Sequence, residues 1–415
     1  MRLASAALGA LGLLLITALG AAPAGAAPNE VVIGALYPLS GGSAPVGLDD
    51  RHALETAVDL VNNSYDLDLP LAKTSGLPHL GGAKIRVIIA DHQGDPQKGR
   101  AEAERLITQE KVVALIGAYQ SAVSATVAQT AERYGVPFLC ADSTSPSLTQ
   151  RGFKWFFRPT AHDLMFSTAM FDFIGDMEKK TGKKVASVSL IAEDTLFGTD
   201  SRTILRKLAE ERGIKVAADI KYRANSPSLT AEVQELKAAN APVLMPSSYT
   251  SDAILMMKTM SELGWRPKAI VAQAAGFADQ ALVDAVGPAA EGIISRSSFA
   301  TDVKNRPAIG PVNEMFKKRA NKDLNDSSGR VFTGLIILAD AIDRARSTDP
   351  AKIRAALQAT DMPGSRTIMP WKGVKFDANG QNTEATPIIT QIKNGKWRTI
   401  WPFDVASEPA VWNVQ

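Results

Sequence analysis

The stretch VVALIGAYQSAVSATVAQTAERYGVPFLCADSTSPSLT, Val112–Thr149, decides the fold. Two apolar runs, Val112–Ala118 and Val136–Ala141, flank a segment, Ala122–Gly135, that reads as a helix. Near-continuous apolar strands separated by a helix belong in a parallel sheet that is covered on both faces. Upstream, VVIGALYP (Val31–Pro38) and KIRVIIAD (Lys84–Asp91) are further strands. GLDDRHALETAVDLVNN (Gly47–Asn63) is a helix with Leu54, Val58 and Val61 on one face, and PQKGRAEAERLITQE (Pro96–Glu110) is another. The polar, Pro- and Gly-rich segment Asn62–Gly82 reads as a long surface loop. The order is therefore βαβαβαβ.

The pattern restarts downstream. Met165–Gly182 reads as a helix, Lys184–Asp194 as a strand, Asp200–Gly213 as a helix and Ile214–Tyr222 as a strand. Thr230–Asn240, Ala241–Tyr249, Ser251–Gly264 and Lys268–Gly276 continue the alternation. Two α/β units of similar build follow, with no sequence repeat between them. The tail adds a long helix over Ser327–Ser347 and a second starting at Asp349-Pro350. It ends in a hairpin that turns at Asn394-Gly395.

The 415 residues suit two domains, and a net charge of +3 demands neither nucleic acid nor a membrane surface as partner. Residues 1–26 read as an export signal: Arg2, an apolar stretch to Leu19, and cleavage after Ala24-Gly25-Ala26. The strongly apolar part, Leu8–Leu19, is short of the ~20 residues a membrane span needs. The mature chain is expected to be exported, soluble and free of lipid, because no cysteine lies at the cleavage site. The single cysteine, Cys140, reads as a small buried hydrophobe.

Enzyme motifs are missing. The four histidines, His52, His79, His92 and His162, are scattered, and no cysteine pair exists for zinc. There is no phosphate-binding GxxxxGK[ST] loop, dinucleotide fingerprint or nucleophile elbow. No catalysis, cofactor or metal is expected.

Ligands of open α/β sheets bind beyond the carboxyl ends of the strands. Those tips carry YPLSGGSAPVG (Tyr37–Gly47), GAYQSAVSAT (Gly117–Thr126) and ADSTSPSLT (Ala141–Thr149). The last packs small hydroxyls and one carboxylate against a buried strand. Ser121 can cap the helix it precedes, whose free N–H groups attract an anion. Ser145 can cap a helix opening at Pro146. In the second unit the tips carry Phe197 and Tyr249, aromatics able to close over a ligand.

IGALYPLSGGSAPVG, ADHQGDPQKGRAEAERLI, VVALIGAYQSAVSATVA, GVPFLCADSTSPSLT, FFRPTAHD, AEDTLFGTD and AAEGIISRSSF follow one another across nearly the whole mature chain. In that order they resemble the periplasmic solute-binding proteins of ABC importers, of the branched-chain amino acid (Leu/Ile/Val-binding, type I) family. The resemblance implies two lobes, each a mostly parallel sheet flanked by helices, joined by three hinge crossings that close like a flytrap. Lobe 1 would hold 29–159 and 297–366, and lobe 2 would hold 160–296 and 367–415. The hinges would lie near Arg158–Ala161, Ser295–Ala300 and Arg366–Trp371.

The resemblance also implies a monomer that captures an amino acid or related carboxylate and delivers it to a membrane permease. A periplasmic sensor subunit on the same fold is the alternative. Carried over by position, Ser121 binds the ligand carboxylate, Asp142 and Thr144 supply paired contacts, Phe197 and Tyr249 are the aromatics of the second lobe, and Val46 and Tyr119 wall the side-chain pocket. Two positions depart from the family. The acid that grips the ligand ammonium falls on Ala275, and Arg330 stands where an aromatic is expected. Either Asp142 takes over the ammonium, or the ligand has none and Arg330 meets a second acidic group, or Asp142 and Arg330 pair with each other, or Arg330 points into solvent.

Overall fold

A computed structural model describes residues 29–414 of the chain. The expected signal segment, 1–26, lies outside them. The first sheet is built from β1 (Glu30–Tyr37), β2 (Lys84–Asp91), β3 (Ala114–Gly117), β4 (Phe138–Cys140) and β5 (Phe156–Phe157). Its order is β2-β1-β3-β4-β5 with every pair parallel. The connections are α1 (Ala44–Asn62), α2 (Pro96–Thr108) and α3 (Ser121–Tyr134). Strand order reverses between β1 and β3, so a crevice opens beyond their carboxyl ends.

After α4 (Asp163–Thr181) the same order recurs in β6 (Ser187–Glu193), β7 (Lys215–Tyr222), β8 (Val243–Ser247), β9 (Ala269–Ala272) and β10 (Ile294–Ser297). The intervening helices are α5 (Leu196–Glu211), α6 (Thr230–Ala239), α7 (Thr250–Glu262) and α8 (Gln280–Val286). The chain then returns to the first lobe as α9 (Ile309–Ala320), α10 (Asp326–Ala345) and α11 (Pro350–Gln358), followed by the small pair β11 (Asp361–Pro363) and β12 (Gly373–Lys375). It finishes on the second sheet as the antiparallel hairpin β13 (Ile388–Lys393) and β14 (Lys396–Trp401), with β13 antiparallel to β10. Asn394 (φ 52°) and Gly395 (φ 70°) make the turn, and the left-handed backbone there is what an Asn-Gly pair supplies cheaply.

The first two crossings are bonded to each other, and the segment just before the third is bonded to the first. Thr160 and Ser298 place their hydroxyls 3.0 Å apart. Asn382 donates to the Pro159 carbonyl (2.8 Å), and Gln381 donates to that of Thr160 (2.8 Å). The third crossing comes later in the chain than Arg366–Trp371. Ile368, Met369, Trp371, Val374, Phe376 and Ala385 pack in the same core as β1 and α10, so the chain leaves the first lobe between Ala385 and Ile388. A fully buried tryptophan at 371 needs that core, and it draws the β12 segment back with it. Among the described residues no helix is long and apolar enough to cross a membrane.

Candidate functional site

The two sheets face each other tip to tip, and their tips enclose a cavity of about 20 Å³, roughly one water. Tyr119, Ser121, Asp142, Thr144, Phe197, Tyr249 and Arg330 all line it, together with Ser143, Ala275 and Arg296. Of the residues expected there, Val46 is absent. It lies in the first turn of α1, turned into the core of the first lobe and 2% exposed.

The dense hydroxyls have separate tasks. Ser121, Ser124, Ser143, Thr144 and Ser145 are buried, and a buried hydroxyl without a partner costs about 1–3 kcal/mol. Ser143 and Ser124 both donate to the Ala118 carbonyl (2.7 and 2.9 Å), tying the tip of β4 to that of β3. Neither expected cap forms. Gln120 holds the N-cap position of α3, and the Ser121 hydroxyl makes no capping bond. Instead Ser121 Oγ accepts from the Ser145 N–H (3.4 Å), while the Ser121 N–H meets the Tyr249 hydroxyl (3.4 Å). Only one 3₁₀ turn, Pro146–Thr149, follows Ser145. Its hydroxyl bonds Ser147 (2.8 Å) and the Asp200 carboxylate in α5, across the lobes.

Tyr249 sits between Tyr119 of the first lobe and Phe197 of the second, with ring centroids 5.3 Å from each. Its position is set from behind. Gly276 packs so close that an added Cβ would lie 2.6 Å from the Tyr249 carbonyl carbon and oxygen. Glu193, at the tip of β6, accepts the Tyr249 N–H (3.1 Å) and the Thr195 hydroxyl (2.8 Å). Burial pushes the Glu193 carboxyl up to about 8 in spite of those bonds, so it is largely protonated at neutral pH.

Arg330 and Asp142 do meet. Arg330 donates to the Asp142 carbonyl (2.6 Å), to the Asp326 carboxylate (2.9 Å) and to the Asp326 carbonyl (3.0 Å), and lies 3.7 Å from the Asp142 carboxylate. Asp142 Oδ1 accepts from Ser327 (2.9 Å). Burial lifts its carboxyl to about 6, against the pull of Arg330 and Ser327. Asp326 in turn accepts from the Ser297 hydroxyl (2.9 Å) and the Ser298 N–H (2.6 Å), which ties α10 to the second crossing. Of the four readings open from sequence, pairing of Asp142 with Arg330 is the one these contacts match, and Arg330, 3% exposed, does not point into solvent.

Arg296, in β10, was not singled out in the sequence. It is 2% exposed, and its guanidinium carbon lies 3.8 Å from the centre of the Phe166 ring. The visible signal was a charge inside an otherwise uncharged strand, Ile294–Ser297. Among the described residues no cluster of His, Cys, Asp and Glu is placed to hold a metal.

Comparison with known proteins agrees with this architecture. A family model described as periplasmic binding protein matches residues 30–396, and the chain belongs to that family. The Leu/Ile/Val-binding protein homolog 7 of Brucella suis biovar 1 is 28% identical over 392 residues, covering 92% of this chain and 93% of the relative. Among solved structures, the leucine binding protein LivK of Thermotoga maritima superposes with a TM-score of 0.76 at 21% identity, covering 89% of this chain and 97% of that one. A solute binding protein of an ABC transporter from Rhodopseudomonas palustris BisB5, in complex with 3,4-dihydroxybenzoic acid, superposes with a TM-score of 0.75 at 18% identity, covering 93% and 99%. The fold is thus the two-lobed type I periplasmic binding protein fold.

Proposed function

We propose that the protein is the periplasmic substrate-binding component of an ABC importer, and that it captures a small organic carboxylate in the interlobe cleft by hinge closure. One observation carries this reading. The tips of both sheets converge on one cavity, and its lining combines the amino end of α3, the Thr144 hydroxyl, an aromatic trio and a buried guanidinium. Helix amino ends and guanidinium groups both favour a carboxylate. The relatives support the class: one is called a Leu/Ile/Val-binding protein homolog, and structural neighbours hold leucine or a hydroxylated benzoic acid.

The cavity admits about one water, so a larger ligand requires the lobes to part and Tyr249 to leave the Ser121 N–H. The mechanism is then a two-state one. Ligand enters the open form, bridges the tips, and makes the closed form the dominant one for a permease to meet. It involves no covalent step. A thermal-shift screen of the mature chain against amino acids, oxo acids, dicarboxylates and aromatic acids tests it. A ligand at a hundredfold excess over its dissociation constant adds about 2.7 kcal/mol of stability. A screen in which no carboxylate raises the melting temperature overturns the reading.

A further inference from the structure

Arg296 lines the cavity and is almost unpartnered. Its Nε and Nη1 are buried and make no hydrogen bond. Nη2 has one long contact, 3.4 Å to Thr144 Oγ1. The nearest carboxylates, Asp163 and Asp326, stand at 3.8 and 3.9 Å, too far for hydrogen bonds. Phe166 covers one face of the guanidinium and leaves its edges free. A buried guanidinium carries a large desolvation cost unless its donors are used. Here the bonds that would offset that cost are left for something that enters the cleft.

Each acid of the cleft already has a partner beside it, although Asp142 Oδ2 and Asp163 Oδ2 make no hydrogen bond. Asp326 is held by Ser297, Ser298 and Arg330. Asp142 faces Ser327 and Arg330 on the first-lobe side. Asp163 accepts from Gln273 (3.3 Å) and backs Arg296. Glu193 holds the Tyr249 N–H and is mostly neutral. Ala275, which also lines the cavity, offers only a methyl group. An incoming ammonium would share the cavity with two guanidiniums, and the one carboxylate that lines it, Asp142, keeps Oδ2 unbonded but stands 3.7 Å from Arg330.

We propose that Arg296 is the charge-selecting anchor of the cleft and that the ligand is a carboxylate without an ammonium group, such as an oxo, hydroxy or aromatic acid. This rests on the reading of the cleft as the binding site. Arginine holds a carboxylate through two parallel hydrogen bonds, and the discrimination against an amino acid comes from its ammonium, which the guanidiniums of Arg296 and Arg330 repel.

The test is isothermal titration of the full mature chain with matched pairs that differ only in oxo against ammonium. Suitable pairs are pyruvate and alanine, 4-methyl-2-oxopentanoate and leucine, phenylpyruvate and phenylalanine, and 2-oxoglutarate and glutamate, with benzoate and 3,4-dihydroxybenzoate alongside. The expected result is that the tightest ligand lacks an amine and that the matched amino acid binds at least about tenfold more weakly. Arg296→Met should weaken that ligand by about 10- to 100-fold, the range for hydrogen bonds to a charged group. Arg296→Lys, which keeps the charge and loses the fork, should fall between. If Arg296→Met fails to fold, the wild-type pairs still decide. An amino acid that beats its oxo acid, or full affinity in a folded Arg296→Met, overturns the proposal and leaves the cleft reading standing. No binding by any of these acids overturns both.

Discussion

Replacing Glu193 with glutamine should remove a loss of stability that the protein otherwise suffers as pH rises towards 8. The carboxyl is buried at the tip of β6, and burial raises it from an ordinary 4.5 to about 8. Between those values the native protein holds a proton that the unfolded chain has lost. Unfolding then releases a proton, and stability falls as pH rises, by about 1.4 kcal/mol per pH unit for this one group. The loss ends above about pH 8, where the native carboxyl ionises as well. From about pH 6 to 7.5 the wild type should lose about 2 kcal/mol that Glu193→Gln keeps. The amide suits the site, since its oxygen can accept the Tyr249 N–H and its NH2 can face the Thr195 hydroxyl. Asp142 and Asp279, both raised by burial to about 6, act in the same direction at lower pH. His92 and His162 are lowered by burial to about 4 and act oppositely, so stability gains from them as pH rises from about 4 to 6.5. Urea unfolding of both proteins at the two pH values measures the difference. Parallel losses in wild type and variant would show that Glu193 is ionised when folded and refute the reasoning.

Other perturbations follow from single contacts. Ser121→Ala and Thr144→Ala should each weaken ligand binding with little change in melting temperature, and unchanged affinity in both would remove them from the site. Asp326→Asn leaves the Arg330 guanidinium buried without its closest carboxylate and should cost about 3–5 kcal/mol in urea unfolding. A cost under about 1 kcal/mol would mean that Asp142 alone neutralises it. Ser145→Ala removes the hydroxyl that reaches Asp200 across the lobes and should shift the open–closed balance several-fold towards open, by about 1 kcal/mol. Small-angle scattering without ligand should then show a larger radius of gyration, and an unchanged radius would place the Ser145–Asp200 bond outside the closure.

The fold was legible because parallel strands buried on both faces write themselves as apolar runs, and β1, β3, β4, β6, β8 and β9 all follow that pattern. The Asn394-Gly395 hairpin was legible from turn chemistry alone. The third crossing was not, since nothing local in 366–385 says that Trp371 belongs to a core assembled mainly from residues before 160 and after 299. β5 and β11, of two and three residues, are too short to leave a periodicity. In the site, the strand tips could be read but the bonding of their hydroxyls could not. Ser121 and Ser145 have the chemistry of caps, but Ser121 accepts from the Ser145 N–H and Ser145 reaches Asp200 in the other lobe instead. Arg296 was missed because its importance lies in what it lacks. A buried guanidinium with two of its nitrogens unbonded is visible only when its neighbours are placed around it.

Hydrogen exchange of the protein, with and without a carboxylate that raises its melting temperature, tests the central claim most directly. The account predicts added protection in both lobes at once, over 118–125 and 142–147 in the first and 193–199 and 247–252 in the second. Protection confined to one lobe, or centred away from these strand tips, would contradict it.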